Sequence, residues 1–499
     1  MTASSALTTD THEALVAHLD RPDGQEDLCF ALYRPSSGAS RTTALVHELI
    51  LPRPGERSVH GNVSFTSEYF LRAGAEAASA DAGLVFLHSH PRATGWQGMS
   101  DDDIRAEHGH SGQTLAMTGL PLVGMTLATG DKGWSARSWP AASTGRFERL
   151  DFETVRVVGD QLIPSFNPML RPPETITASQ LRTVSAWGDH IQAIIARLRV
   201  GIVGAGSVGS VVAEVLVRIG VQAITLIDFD SVKQHNLDRL LHAGPRDVRL
   251  ARSKVETLKR GLLISATAEA PLIEIHELSL VEEAGLLEAL DCDVLFSCVD
   301  RPWPRSALNM VAYAHLIPVI DGGIRVGVAE GQLERADWKA HIAAPGRRCL
   351  ECLGQYDPGH VALERDGYLD DPTYIAGLPP GHPLKARENV FGFASHTASM
   401  EIVQFLSMVV APHRTADIGA QNYHFVTGEL DIDRRSCNPR CPYGHDLVAQ
   451  GEATGLIVTG KHATADRERA ERHTRARSLR VRLGRLRDRV GSHIAGRNL

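Results

Sequence analysis

Three groups of residues in this chain of 499 have types and spacings that suit chemistry. The first runs from Gly204-Ala-Gly206-Ser-Val-Gly209 through Asp228-Phe-Asp230, Asn236-Leu-Asp-Arg239 and Lys254 to Ser297-Cys-Val-Asp300. Glycines leading into a helix leave backbone N–H groups where phosphate is favoured, and an acid about twenty residues further on suits a ribose hydroxyl. A dehydrogenase has no use for the remainder of this set. Triphosphate chemistry does, because Arg239 and Lys254 can neutralise phosphate oxygens while Asp300 or Asp230 can hold Mg2+. The second group is His88-Ser-His90-Pro91, with Ser100-Asp-Asp-Asp103 after it and Glu26 before it. Histidines one residue apart on an extended segment point to the same side. With one carboxylate they leave a zinc position for water, and a further carboxylate can take that water's proton. The third group pairs Cys349-Leu-Glu-Cys352 with Cys437-Asn-Pro-Arg-Cys441, the spacing of a closed, structural four-thiolate zinc site.

The elements around these groups must bring them together. Residues 200–203 read as a buried parallel strand, 211–219 as a helix and 223–227 as a second strand ending at Asp228. Strands and helices then alternate through 293–297, 305–315, 318–321 and 327–333, as expected of a doubly wound sheet. Upstream, the pattern predicts a helix over 11–19, strands over 27–33 and 43–51 and a helix over 67–80. A buried strand over 83–87 then delivers His88 and His90 at its end, strands over 122–127 and 134–138 complete a small mixed sheet, and one more strand is expected over 154–158. The proline-bearing passage 164–173 reads as a linker. The expected organisation is a first domain over 1–163, a linker over 164–176, a second domain over 177–460 and a tail over 461–499. In that tail 12 Lys and Arg stand against 4 Asp and Glu. Leu479, Leu483, Leu486, Val490 and Ile494 recur every three or four residues, so it is expected to form a basic amphipathic helix. Docking on the chain's own acidic body competes there with partner, nucleic-acid or membrane-surface binding.

The first group resembles the ubiquitin-activating-enzyme-like adenylyltransferases, the ThiF/MoeB/HesA group, whose members carry the glycine turn, D-x-D, N-x-x-R, lysine and C-T-D in this order. The resemblance implies ATP and Mg2+, with Asp228 on the ribose, Asn236, Arg239 and Lys254 on the phosphates, and Asp300 at the metal and α-phosphate. It also implies a homodimer. Arg182-Thr-Val-Ser-Ala-Trp-Gly188 stands where the family has R-Q-x-x-x-x-G, whose arginine reaches the nucleotide of the opposite subunit. Thr183, Ala251 and Arg301 depart from the family's glutamine, glycine and asparagine, and Arg301 bears on how the carboxyl end of a substrate is held. The second group resembles the JAB/JAMM (MPN) metalloproteases, with their distant glutamate, H-x-H-P and S-x-x-D. That resemblance implies a catalytic Zn2+ on His88, His90 and Asp103, Glu26 as general base and Ser100 at the oxyanion. The loop over 92–99 is longer than usual, which leaves Asp101 as an alternative ligand; Glu48 is the alternative base. Many adenylyltransferase relatives carry a zinc knot at the two cysteine pairs, so a second, structural Zn2+ is expected. The fold implied is α/β, with an N-terminal JAB/JAMM, cytidine-deaminase-like mixed domain followed by a doubly wound, Rossmann-like adenylation domain with a four-Cys zinc knot.

Composition narrows the partners. With 43% hydrophobic residues the chain can bury ordinary cores, and a net charge of -7 exerts no global pull toward nucleic acid. No stretch is apolar enough to span a membrane, and Met1-Thr-Ala-Ser-Ser lacks the features of a secretory signal, so a cytoplasmic protein is expected. Cys29 and Cys298 read as small core residues. The segment 353–436, where eukaryotic activating enzymes carry their thioester nucleophile, holds no cysteine. The function expected is ATP-dependent adenylation of the C-terminal glycine of a ubiquitin-like or sulfur-carrier protein, combined with zinc-dependent (iso)peptide hydrolysis. A conjugating enzyme, sulfur donor or amine would then accept the activated group. A bacterial conjugation-like system, in antiphage defence by fold-level analogy, and sulfur-carrier metabolism both accommodate this. The rival expectations are an adenylating enzyme for a small peptide or amino acid, and a non-catalytic ATP-binding scaffold.

Overall fold

The computed structural model describes residues 1–60, 62–379, 388–478, 481, 482, 484 and 485. Its first half is a mixed sheet of nine strands. In spatial order they are Leu162–Phe166, Thr154–Val158, Thr2–Thr8, Arg41–Ile50, Leu28–Ser37, Gly83–His90, Leu122–Ala128, Gly133–Trp139 and Leu150–Asp151. Helices Ser67–Ser79 and Asp101–Thr118 pack beside Gly83–His90, the strand that bears the two histidines.

Two features differ from the sequence reading. Thr2–Thr8 is an interior strand, parallel to Arg41–Ile50 on one side and Thr154–Val158 on the other. Its small polar residues carry no apolar alternation. They are buried because neighbours satisfy them: Ser4 Oγ lies 2.8 Å from Thr43 Oγ1, and Ser5 Oγ donates to the Ala44 carbonyl. The passage read as a linker begins in strand Leu162–Phe166, where Pro164 opposes Arg156 at the sheet edge. Proline is tolerated there because an edge strand has N–H groups with no ladder partner. The Arg197 guanidinium stacks on Phe166, 4.3 Å from the ring centre.

The second half is a sheet of eight strands in the order Leu272–His276, Ala223–Ile227, Arg199–Val203, Val294–Ser297, Val319–Ala329, Gln332–Ala343, Ala420–His424 and Glu429–Asp433. The first five are parallel. The last three turn antiparallel, which corrects the strand expected over 327–333: that stretch contains the hairpin turn at Glu330-Gly331, both residues at positive φ. Helices cover both faces. Leu216 and Val212 of Ser207–Arg218 share a core with Leu258 of Lys254–Ser265 and Phe405 of Phe391–Val410. Leu308 and Val311 of Pro302–Ala314 pack with Leu290 on the other face.

The halves are fused through that core. Ala6, Leu45, Val158, Leu162 and Phe166 of the first sheet belong to the same buried cluster as Val200 and Ile202 of the second. Across the seam Arg41 Nη1 lies 2.5 Å from Asp293 Oδ1, with Arg156 at 3.7 Å, all three side chains fully buried. Beyond residue 460, helix Ala463–Ala476 docks on the second half through Arg472 to Glu277 and the Phe229 carbonyl, Arg469 to Glu282, and Glu468 to Lys233. The expected periodic residues Leu479, Leu483, Leu486, Val490 and Ile494 lie outside the described residues.

Candidate functional site

At the carboxyl ends of the parallel strands the second sheet opens a cavity of about 2030 Å³, lined among others by Gly204, Gly206, Asp228, Asp230, Asn236, Arg239, Lys254 and Asp300. The turn is tight for steric reasons. Gly204 has φ +96 and a Cβ there would meet the Cys298 carbonyl at 2.5 Å; one on Gly209 would meet the Gly204 carbonyl at 1.9 Å. Asp228 holds this turn from the next strand, Oδ2 accepting from Ala205 N at 2.8 Å and Oδ1 from Asp230 N at 2.7 Å. Burial raises its pKa against the pull of Lys254. Lys254 opens helix Lys254–Ser265 behind the Ser253 cap, with Nζ 2.6 Å from Asp230 and 3.9 Å from Asp228. Burial alone would lower its pKa, but Asp228, Asp230 and Asp300 outweigh it and raise it, so the ammonium is charged.

The other expected residues are placed less directly. Asn236 accepts from Lys233 N at 3.0 Å, and Arg239 donates to the His235 carbonyl and Asp238 at 2.7 and 2.8 Å. Arg182 is exposed on helix Leu181–Arg197, outside the lining of its own chain's cavity. Arg301 donates to the Leu369 carbonyl at 3.3 Å and to Asp370 at 3.1 Å, tying that segment to the residue beside Asp300.

Behind the cavity wall the four cysteines 349, 352, 437 and 441 meet, with their sulfurs all within 4.8 Å of one another and Cys349 to Cys441 at 3.6 Å. A tetrahedron with zinc–sulfur bonds of about 2.3 Å has edges of about 3.8 Å, so this set fits zinc.

Residues 177–424 match the ThiF family. Among individual proteins, ubiquitin-like modifier-activating enzyme 5 of Drosophila mojavensis is 31% identical over 147 residues, 27% of this chain and 36% of that one. Molybdopterin-synthase adenylyltransferase of Escherichia coli (strain K12) is 32% identical over 161 residues, 32% of this chain and 59% of that one. This chain therefore spans about a third of the first relative and under two thirds of the second. The solved structure of E. coli MccB with ATP superimposes with a TM-score of 0.41 at 17% identity, covering 53% of this chain and 74% of that one. The ThiF family segment contains the glycine turn, Asp228, Lys254 and Asp300, and stops short of Cys437 and Cys441.

A second cluster lies outside the ThiF family segment. His88 Nε2 and His90 Nε2 are 3.3 Å apart, and Asp103 Oδ1 and Oδ2 lie 3.5 and 3.7 Å from them. Ligands about 2.0–2.1 Å from a tetrahedral ion stand about 3.4 Å apart, so these donors fit zinc as they stand. Burial, with the Arg137 charge, pushes His88 down to about 3, so its imidazole is neutral. Gln97 Oε1 lies 3.2 Å from His90 Nδ1, which favours the tautomer with Nε2 free. Glu26 is half-buried nearby, its pKa raised by burial while His90 lowers and Asp103 raises it. Asp101 and Glu48 are both exposed, outside the cluster. Ser100 has a local task that the S-x-x-D spacing already encodes. It caps helix Asp101–Thr118, its Oγ accepting from Asp103 N at 3.1 Å while Asp103 Oδ2 accepts from Ser100 N at 2.8 Å. The capping box thus aims Asp103 at the histidines.

The sequence reading missed several residues of the cavity. His462 and Thr464, from the supposed tail, line it. His462 Nδ1 is 2.8 Å from Ser279 Oγ and its ring contacts Phe229 and Trp303, while Thr464 bonds Asp370. Asn389 donates to Ser207 at the glycine turn at 2.8 Å. No local spacing announces these contacts, because each partner lies on a distant segment.

Proposed function

We propose that this chain is an ATP-dependent adenylyltransferase that activates the C-terminal carboxylate of a ubiquitin-like or sulfur-carrier protein, and that its N-terminal half carries a JAB/JAMM-type zinc (iso)peptidase. The first half of this reading is carried by one observation: Lys254, Asp228, Asp230 and Asp300 surround a single cavity at a glycine turn inside a ThiF family segment. The substrate carboxylate attacks the α-phosphorus of ATP, the bond to the β-phosphate oxygen breaks, and pyrophosphate leaves. Lys254 and a repositioned Arg239 take up the developing negative charge, joined in a homodimer by Arg182 of the partner subunit. Mg2+ held at Asp300 or Asp230 would screen the phosphates. With no cysteine in 353–436, the activated group passes to a partner thiol, a sulfur donor or an amine. In the N-terminal half His88, His90 and Asp103 would hold zinc, which supplies Lewis acidity. Glu26, its pKa raised, takes and returns the proton, and Ser100 donates to the developing oxyanion. An ATP-consuming reaction of this kind suits the cytoplasm.

ATP–pyrophosphate exchange tests the first half. Exchange that requires a protein ending in Gly-Gly and vanishes in Asp300→Ala supports it. Tight ATP binding with no exchange, whichever such protein is added, overturns it, and exchange driven instead by a short peptide transfers the reading to that substrate. For the second half, cleavage of a Gly-Gly isopeptide that is lost with a chelator and in Glu26→Gln is expected.

A further inference from the structure

The antiparallel end of the second sheet has two unlike faces. Trp338 and Ala340 pack toward helix Phe391–Val410, against Phe393 and Met400. On the other face Arg325, Asp337, Lys339 and His341 border the cavity, with Asp321 opposite His341 in the strand register. Strand register sets Gly323, Lys339, Asn422 and Asp431 in one cross-strand row, with Arg325, Asp337 and His424 in the next.

The charges on this face are mostly matched. Asp321 is 2.8 Å from Arg305, Asp337 pairs with Arg335 and His424, and Asp431 pairs with His424. Lys339 and Arg325 are different: among the described residues neither has a carboxylate within 4.0 Å. The half-buried Lys339 ammonium is costly without a counter-ion unless an anion joins it, and the exposed Arg325 guanidinium beside it adds positive charge to the same wall. They are also contiguous with the reacting end of the cavity. Arg305 Nη2 donates to the Val299 carbonyl, one residue before Asp300, and to the Gly322 carbonyl. A Cβ on Gly323 would sit 3.5 Å from that same nitrogen and 3.8 Å from Lys339 Cε. A chain end can thus run over Gly323 between Arg305 and Lys339 toward Asp300.

We propose that Lys339 and Arg325 form the subsite that holds the substrate's C-terminal carboxylate before it is adenylated. This rests on the adenylation reading above. The triphosphate already has the glycine turn, Lys254 and Arg239 on the opposite side, so the unmatched pair on this wall serves the other reactant. Adenylation turns the carboxylate into a mixed anhydride and removes the charge the pair holds, so the subsite binds the substrate better than the activated product. Burial, with Arg305 and Arg325 adding to it and Asp321 opposing, brings Lys339 down to about 8. The charged groups facing it are Asp321, Arg325 and Arg305 from neighbouring elements, Asp337 and His341 on its own strand, and Asp431 beyond Asn422. Substrate binding therefore weakens as pH rises past about 8.

Two measurements on the full chain test this. In the exchange assay, Lys339→Met is expected to raise KM for the protein substrate about tenfold and leave KM for ATP within roughly twofold. Lys339→Arg should restore binding and abolish its alkaline loss. A rise in KM for ATP alone, or no change in either constant, overturns the subsite. The second measurement needs no turnover: competitive acylation of lysines by acetic anhydride, read by mass spectrometry, with AMP and either N-acetylglycylglycine or its C-terminal amide. The acid is expected to protect Lys339 and raise its pKa, and the amide is not; Arg325→Met should weaken the protection. Equal effects of acid and amide, no effect of either, or protection by ATP alone overturn it. Wild-type protein without exchange fails the adenylation reading and leaves the labelling to decide the subsite.

Discussion

The two polar sites of this molecule are built on different scales. The His88, His90 and Asp103 cluster comes from one strand end and the helix start that follows it. Alternation along the strand aligns the two rings, and a capping box aims the carboxylate. The large cavity draws on segments from Val203 to Thr464: a glycine turn, two further strand ends, a segment pinned by Arg301, and a helix docked by Arg469 and Arg472. A site made locally tolerates damage elsewhere in the fold. One assembled from remote segments inherits the stability of everything that positions them.

The sharpest test of this contrast is reciprocal. Asp300→Ala should lower ATP–pyrophosphate exchange by about 10² to 10³ with zinc content unchanged, and His88→Ala should remove one zinc equivalent with exchange intact. Loss of both activities in either variant would show one coupled site. A comparable effect is expected at the seam. Arg41→Met leaves Asp293 buried with Arg156, at 3.7 Å, as its remaining ion-pair partner among the described residues, and should cost about 3 kcal/mol in chemical denaturation. If the halves act as one body, both should unfold in a single transition.

The seam also has a pH response. His315 is buried beside Ser36 of the first sheet, 2.8 Å away, and burial lowers it from 6.5 to about 4. In the unfolded chain the ring takes a proton near pH 6.5, in the folded one only near pH 4, so the unfolded state binds more protons between those values. Its contribution is present above pH 6.5 and lost as pH falls toward 4, up to about 3 kcal/mol. Urea titrations at pH 7 and 5 should show this, with a flatter response in His315→Gln. The smallest effect is expected from Arg472→Ala, which frees the C-terminal helix from Glu277 and the Phe229 carbonyl. It should weaken ATP binding by about 1 kcal/mol in calorimetry, leaving the His88, His90 and Asp103 cluster unaffected.

Much of this was legible in the residues themselves. The glycine turn, the acid at the next strand end and the lysine at a helix start are read from type and spacing, because steric and dipolar rules act within a few residues of the chain. H-x-H before S-x-x-D is legible for the same reason. The missed strand Thr2–Thr8 carries small polar residues that only its neighbours could bury, and Pro164 in strand Leu162–Phe166 argued for a linker until an edge position excused it.

The sequence by itself therefore determined the local chemistry: which turn can approach phosphate and which side chains can hold zinc. Tertiary structure decided the company those residues keep. It set Arg41 against Asp293, His462 and Thr464 beside the cavity, Cys349 beside Cys441, and Lys339 and Arg325 on one wall with no counter-ion among the described residues. These pairings join segments far apart in the chain, and only the packing of two sheets around a common core fixes the distances on which their electrostatics depend.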